Sequence, residues 1–499
     1  MVYSVPHWIN GRAYENEEEN SLTIHNSATG EAIGQVRLAN HSTCDKAIAA
    51  AKAAFPIWSN TPPVKRAAIL FRFRQLLLDH QNELAHLVTQ EHGKTLDDAR
   101  GSVARAIEVV ELHCGLVNNL KGDMSCDVAK QIDCQTIRQP IGICMGVSPF
   151  NFPVMVPAWM VIPAIAFGNC FILKPSEQDP SAALKCIELL HQAGLPEGVA
   201  QCIQGDKSTV DYLINHPDIV ACTAVASTAV AKSIYSKATS LGKRAHTFGG
   251  AKNHAVLMPD ADMRQAAIAI NGAAFGSAGE RCMALSVVVC VGEKSKEQLF
   301  EHLIPLVKSI RVDRGDAAEV DMGPLISAQH RQKVLDKINQ GVEEGANLVV
   351  DGRHYRHLQH PEGYYVGPCL FDDVAPSMTI YQEEIFGPVL VVLTVDNFDE
   401  ALQLVNENQY GNGTAIFTRD GYTARQYSHL VNVGMVGVNI PIPVPVASHP
   451  FGGWKQSAFG DTNMHGGESM HFYTKRKTIT CRWPEQSHEG NAFVMPTHS

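Results

Sequence analysis

At 499 residues the chain is too long for one compact core, and two or three domains are expected. An apolar share of 45% with a charged share of 18% describes an ordinary folded protein with ample core. A net charge of -10, with no basic tract, argues against nucleic acid or an anionic membrane as a partner.

The opening Met1-Val-Tyr-Ser-Val-Pro-His-Trp8 has neither a charged n-region nor an apolar h-region, and no later segment has an uninterrupted membrane-spanning length. A soluble protein is expected. Trp8 to Asn40 alternates short apolar runs with Gly and Asn and reads as strands and turns. Cys44–Trp58, Pro63–His80, Asn82–Glu91 and Leu96–Leu116 then carry apolar residues three and four apart, which predicts amphipathic helices. On the last of these Arg105 stands three residues before Glu108, a spacing that suits an exposed ion pair.

Gln131–Ile137 alternates like an extended ribbon, and Ile141–Val147 reads as a buried strand. It ends at Ser148-Pro-Phe-Asn-Phe-Pro153, where two prolines fix the backbone around Asn151 and present its amide at a strand's carboxyl end. Cys170–Leu173 is a second strand, closed by Lys174-Pro-Ser-Glu177. Ile219–Ala226 is a third, after which Ser227-Thr228 is expected to cap a helix. Strands alternating with helices predict an α/β fold with a parallel sheet, although the dinucleotide fingerprint G-x-G-x-x-G is absent.

Phe275-Gly-Ser-Ala-Gly-Glu-Arg-Cys282 lies between a helical run, Met263–Ala274, and a β-branched run, Ser286–Val291. Cys282 is therefore placed on a short turn entering a buried strand, with Arg281 beside it as a cation that would lower the thiol's pKa. It is one of thirteen cysteines; their nearest neighbours are eight residues apart and no C-x-x-C pair exists. Neither a disulfide framework nor a zinc site is indicated, and a reducing, cytoplasmic setting fits. The histidines at 354, 357 and 360 lie in a polar segment without a nearby carboxylate pair, so no metal site is expected there. Further on, Glu383-Glu384-Ile-Phe-Gly-Pro388 precedes the strand Val389–Val395. Three alternate prolines at 441, 443 and 445 make a rigid loop after Asn439. The stretch Gly466–Trp483, including Met470–Thr474, reads as one or two strands available for pairing across subunits.

Pro149-Phe-Asn-Phe-Pro153, Lys174-Pro-Ser-Glu177, Gly279-Glu-Arg-Cys282 and Glu384-Ile-Phe-Gly-Pro388 together resemble the aldehyde dehydrogenase superfamily, in its order and separations and over nearly the whole chain. Gly249-Gly-Ala-Lys-Asn-His254, Met283-Ala-Leu-Ser286, Tyr410–Phe417 and the proline loop are similar to one branch of it, the CoA-acylating methylmalonate-semialdehyde dehydrogenases. The resemblance implies a Rossmann-type NAD-binding domain over 1–123 and 143–250, an α/β catalytic domain over 251–440, and a β oligomerisation arm over 124–142 and 465–485. A homotetramer is implied as well.

By this resemblance Cys282 is the nucleophile and the Asn151 amide, with the Cys282 backbone N–H, meets the developing oxyanion. Contacts to NAD fall on Ser148, Phe150, Lys174, Glu177, Gln178, Ser227 and Glu384, and a carboxylate at Glu177 favours NAD over NADP. Ala226 and Gln178 depart from the branch, which usually has glycine and arginine there, and this implies altered cofactor contacts. Arg281 and Arg105 are implied as a clamp for a substrate carboxylate. Hydrolytic members carry a glutamate base at the position of Thr247 in His246-Thr-Phe-Gly-Gly250; threonine cannot serve as that base, so the resemblance implies transfer of the acyl group to coenzyme A. The expected reaction oxidises and decarboxylates methylmalonate or malonate semialdehyde to propanoyl-CoA or acetyl-CoA and CO2. The alternatives are a hydrolytic enzyme acting on another semialdehyde and a catalytically silent member of the fold.

Overall fold

The strand Ile143–Val147 is buried at all five residues, with a parallel neighbour on either side, Cys170–Lys174 and Ile219–Val225. Burial of both faces explains its unbroken run of apolar and small residues. In the computed structural model, which describes residues 3–483, this strand lies within an eight-stranded sheet. From it the chain adds Cys170–Lys174 and Ala200–Cys202 on one side, then Ile219–Val225 and Arg244–Phe248 on the other. The winding thus reverses beside Ile143–Val147, and the loops after Val147, Lys174 and Val225 open a crevice there. The helix Met155–Ala166, buried at every residue, packs below the sheet with Leu96–Leu116 against it.

A second sheet of seven strands holds Leu285–Val291, the strand that Cys282 enters, between Asn253–Leu257 and Val389–Val395. All its pairings are parallel except that of Asn347–Val350 with Cys369–Asp372. The fold is α/β, with the expected parallel pairing at the centre of each large sheet and antiparallel strands at the edges. A third, antiparallel sheet sets Ile132–Pro140 between Met124–Ala129 and Thr474–Arg482. Residues 484 and 485 of the expected arm lie outside the described residues. Among the described residues no helix is long and apolar enough to cross a membrane.

Two local expectations need correction. Glu468–Tyr473 is a helix, so Met470–Tyr473 is not strand; its buried residues Ser469, Phe472 and Tyr473 have the one-turn spacing that fits a helix packed on Met155–Ala166. Ser227 stands at the N-terminus of the helix Thr228–Ser240 but its side chain makes no capping bond. Thr228 Oγ1 instead accepts from the Gly250 backbone N–H at 2.9 Å, tying the helix start to the loop after Phe248. Ala458–Phe459, downstream of the proline loop, returns to the first sheet as an antiparallel edge strand beside Arg244–Phe248.

Candidate active site

The turn that carries Cys282 is held in an uncommon backbone shape. Ser277, Ala278 and Gly279 all adopt positive φ, at 54°, 51° and 73°. Left-handed backbone at two non-glycine residues costs about 1–3 kcal/mol each and persists only where the surroundings enforce it. Here the enforcing surface is the segment Glu384–Pro388: a side chain at residue 279 would strike the Gly387 carbonyl, so only glycine fits. The Cys282 carbonyl is fixed from the other direction, accepting from the Asn253 and Asn412 side-chain amides at 2.9 and 3.0 Å.

Asn151 meets this turn from the first sheet. Its Nδ2 donates to the Glu280 carbonyl at 3.0 Å, using one of two amide hydrogens, and its backbone carbonyl accepts from Lys94 Nζ at 2.6 Å. Glu384 comes from the segment leading into the second sheet, and its Oε1 accepts from the Ala251 backbone N–H at 2.9 Å. Burial raises the Glu384 carboxyl to about 7. The Phe150 ring stands edge-on to Phe386 with centroids 5.7 Å apart. Loops from both sheets thereby close on one cysteine.

These groups line a cleft of about 660 Å³ between the two sheets, into which nine of the sequence-predicted residues converge: Cys282, Asn151, Ser148, Phe150, Lys174, Glu177, Gln178, Ser227 and Glu384. Lys174 Nζ and Glu177 Oε2 are paired at 2.7 Å. Ala226 also lines the cleft. Arg281 lies in a smaller adjoining hollow that shares Cys282 and Glu384. Arg105 lines neither; it pairs with Glu108 at 2.6 Å and reaches the Val444 and Pro445 carbonyls at 3.3 and 3.4 Å. Its spacing from Glu108 did indeed mark an ion pair. The cleft also takes His330 and Lys333 from the helix Ala328–Glu343, which sequence reasoning missed because they sit in an ordinary polar helical pattern.

Two electrostatic expectations change. Arg281 does not serve the thiol: its guanidinium donates to Asp98 Oδ1 at 2.5 Å. Burial, with the Glu384 carboxylate adding to it, pushes the Cys282 thiol up to about 12 rather than down. Alkylation of Cys282 by iodoacetamide in the cofactor-free protein should therefore rise about tenfold per pH unit between pH 7 and 9, followed by mass spectrometry of its peptide. A plateau below pH 8 would contradict this. Thr247, meanwhile, turns away from the cleft, donating from Oγ1 to the Ala231 carbonyl of the helix behind its strand at 2.9 Å. Strand alternation gives Phe248 the opposite face, where it is buried beside His246 and Phe451. The side chain on that face is therefore Phe248, and it is apolar.

Comparison with known proteins adds an independent line. Residues 14–479 match the model of the aldehyde dehydrogenase family. A malonate-semialdehyde dehydrogenase of Pseudomonas aeruginosa is 52% identical, over 98% of this chain and 99% of that one. The human mitochondrial methylmalonate-semialdehyde/malonate-semialdehyde dehydrogenase [acylating] is 44% identical, over 99% and 93%. A solved structure from Sinorhizobium meliloti, provisionally assigned as a methylmalonate-semialdehyde dehydrogenase and complexed with NAD, superposes with a TM-score of 0.96 at 49% identity, over 97% and 99%.

Proposed function

The chain belongs to the aldehyde dehydrogenase family, and from that premise we propose that it is an NAD-dependent, CoA-acylating dehydrogenase of malonate and methylmalonate semialdehydes. The observation that carries this reading is the cleft, which brings Cys282, Asn151 and Glu384 together while no residue from Arg244 to His254 is acidic. A thioester on Cys282 then has no glutamate from that strand to activate water.

The residues present fit a dinucleotide. Ser148 Oγ is buried without a hydrogen-bond partner, and the uncapped start of the helix Thr228–Ser240 borders the cleft at Ser227 and Val230. Ser227 would meet the pyrophosphate, Lys174 and Glu177 the adenosine ribose hydroxyls, and Glu384 the nicotinamide ribose, with Ser148, Phe150 and Gln178 completing the walls. NAD bound there supplies a hydride acceptor.

The chain's own residues do the rest. The Cys282 thiol gives up its proton to solvent, its sulfur attacks the aldehyde carbon, and the free hydrogen of the Asn151 amide with the Cys282 backbone N–H stabilises the oxyanion of the hemithioacetal. Loss of hydride leaves Cys282 as a thioester. Arg281 receives the substrate's carboxylate, and Arg105 joins it once Glu108 releases it. As CO2 departs, the electrons of its carbon–carbon bond pass into the thioester carbonyl, whose oxygen the same donors hold, and a proton then adds at carbon. The coenzyme A thiol next takes the acyl group and Cys282 leaves. Thirteen free cysteines fit a reducing, cytoplasmic setting, and the exposed third sheet is the segment through which a homotetramer would assemble.

The test is NADH formation from malonate semialdehyde with and without coenzyme A, with products identified by mass spectrometry. Acetyl-CoA and CO2 in equal amounts, with turnover falling at least about 100-fold without coenzyme A, are expected. Free acid formed at the same rate without coenzyme A would overturn the reading in favour of a hydrolytic enzyme.

A further inference from the structure

The groups behind Arg281 form a connected chain that the proposed reaction does not use. Arg281 Nη2 donates to Asp98 Oδ1 at 2.5 Å, and Asp98 Oδ2 lies 3.5 Å from Lys94 Nζ. Lys94, buried with its ammonium 4.3 Å above the Phe152 ring, donates to the Asn151 carbonyl at 2.6 Å. One carboxylate between two cations thus links the Arg281 guanidinium to the loop that carries Asn151.

Asp98 has an ordinary explanation as an acidic residue in the first turn of Leu96–Leu116, where its N–H is capped by Thr95. In a capping box, however, its side chain would turn back to the Thr95 N–H. It reaches instead across 183 positions of sequence to Arg281. The backbone beneath is equally fixed: side chains at Gly315 or Gly323 would strike the carbonyls of Lys94 and Gly93, so Lys94 sits on a tightly packed base. Burial opposes ionisation of Asp98, yet Lys94 and Arg281 hold its carboxyl at about 2, so the bridge is ionic.

We propose that Asp98, with Lys94 behind it, is a positioning residue for carboxylated aldehydes. It fixes the Arg281 guanidinium in register with Asn151, so that a substrate anchored by its carboxylate presents its carbonyl to the Asn151 amide and Cys282. In a β-carboxyl aldehyde one methylene carbon separates the two groups, so slack at the anchor is transmitted almost undiminished to the reacting carbon. A misplacement of about 1 Å there costs about 100-fold in rate. An aldehyde without a carboxylate has no anchor at Arg281 and is indifferent to it. The inference rests on the reading of Arg281 as the carboxylate's partner.

The experiment compares kcat and KM for malonate semialdehyde and for propanal, with coenzyme A present, in the wild type and in Asp98→Asn, Asp98→Ser, Arg281→Gln and Asp98→Asn/Arg281→Gln. Asp98→Asn is expected to lower kcat/KM for malonate semialdehyde about 30- to 100-fold, mostly in kcat, and to change that for propanal less than about threefold. The double variant should lose no more than Arg281→Gln alone. Equal losses on both substrates, or a double variant that loses the product of the two single effects, would overturn the role of Asp98. Should Asp98→Asn lack native near-UV circular dichroism, Asp98→Ser, which removes the carboxylate without leaving an amide in its place, carries the same comparison; failure of both to fold would make Asp98 structural and overturn the proposal. If Arg281→Gln leaves the substrate ratio unchanged, the reading of Arg281 itself fails, and this is distinct from a selective Arg281→Gln with an unselective Asp98→Asn.

Discussion

Cys282→Ala is expected to abolish NADH formation from malonate semialdehyde, with a fall of at least about 10⁴-fold, while leaving the protein folded and able to bind NAD. The size follows from the chemistry: hydride loss requires the tetrahedral hemithioacetal, and no other side chain can form it. Of the thirteen cysteines, nine are buried, and Cys126, Cys134 and Cys481 lie on the third sheet; only Cys282 lines the cleft. Fold should survive because Cys282 is held through its carbonyl, which Asn253 and Asn412 grip whatever the side chain. The measurement is steady-state NADH production beside fluorescence titration with NAD. Residual turnover above about a hundredth of the wild type would remove Cys282 from the mechanism.

Asn151→Ala should cost about 10²–10³ in kcat, the usual loss when one oxyanion donor is removed, with a much smaller change in KM. The side chain gives one hydrogen to the Glu280 carbonyl at 3.0 Å, so its second hydrogen is the one free to meet charge at the substrate oxygen. Asn151→Asp supplies a control: its carboxylate occupies similar space, cannot donate when ionised, and would face the Glu280 carbonyl with like polarity. It should be at least as impaired as the alanine. If kcat is retained and KM rises in both variants, Asn151 binds the ground state only and the oxyanion assignment fails. Single-turnover measurement of the NADH burst separates the two cases.

The local helices and strands were legible because their patterns are short-range. Leu96–Leu116 and Val389–Val395 have the boundaries that apolar spacing predicts, and Ile143–Val147 is buried on both faces, as its uninterrupted run implies. Residues 470–473 misled because Met, Phe and Tyr suit strands as well as helices, and only packing on Met155–Ala166 selects the helix.

By itself the sequence determined the α/β class, the position of Cys282 on a turn before a buried strand, and the four motifs that the cleft later collects. These depend on periodicity, on proline and glycine, and on residue identity, all readable within a few positions. Tertiary structure alone decided what each charge faces. Arg281 adjoins Cys282 in sequence, yet its guanidinium is held by Asp98 rather than turned to the thiol; Thr247 stands where hydrolytic members of the superfamily carry their base, yet its side chain turns into the helix behind its strand. The thiol that a neighbouring cation should have acidified is raised by burial and by Glu384, more than a hundred residues away in sequence. Coulomb and desolvation energies depend on distance in space and on access to water, and neither quantity is set until the two sheets have closed on each other.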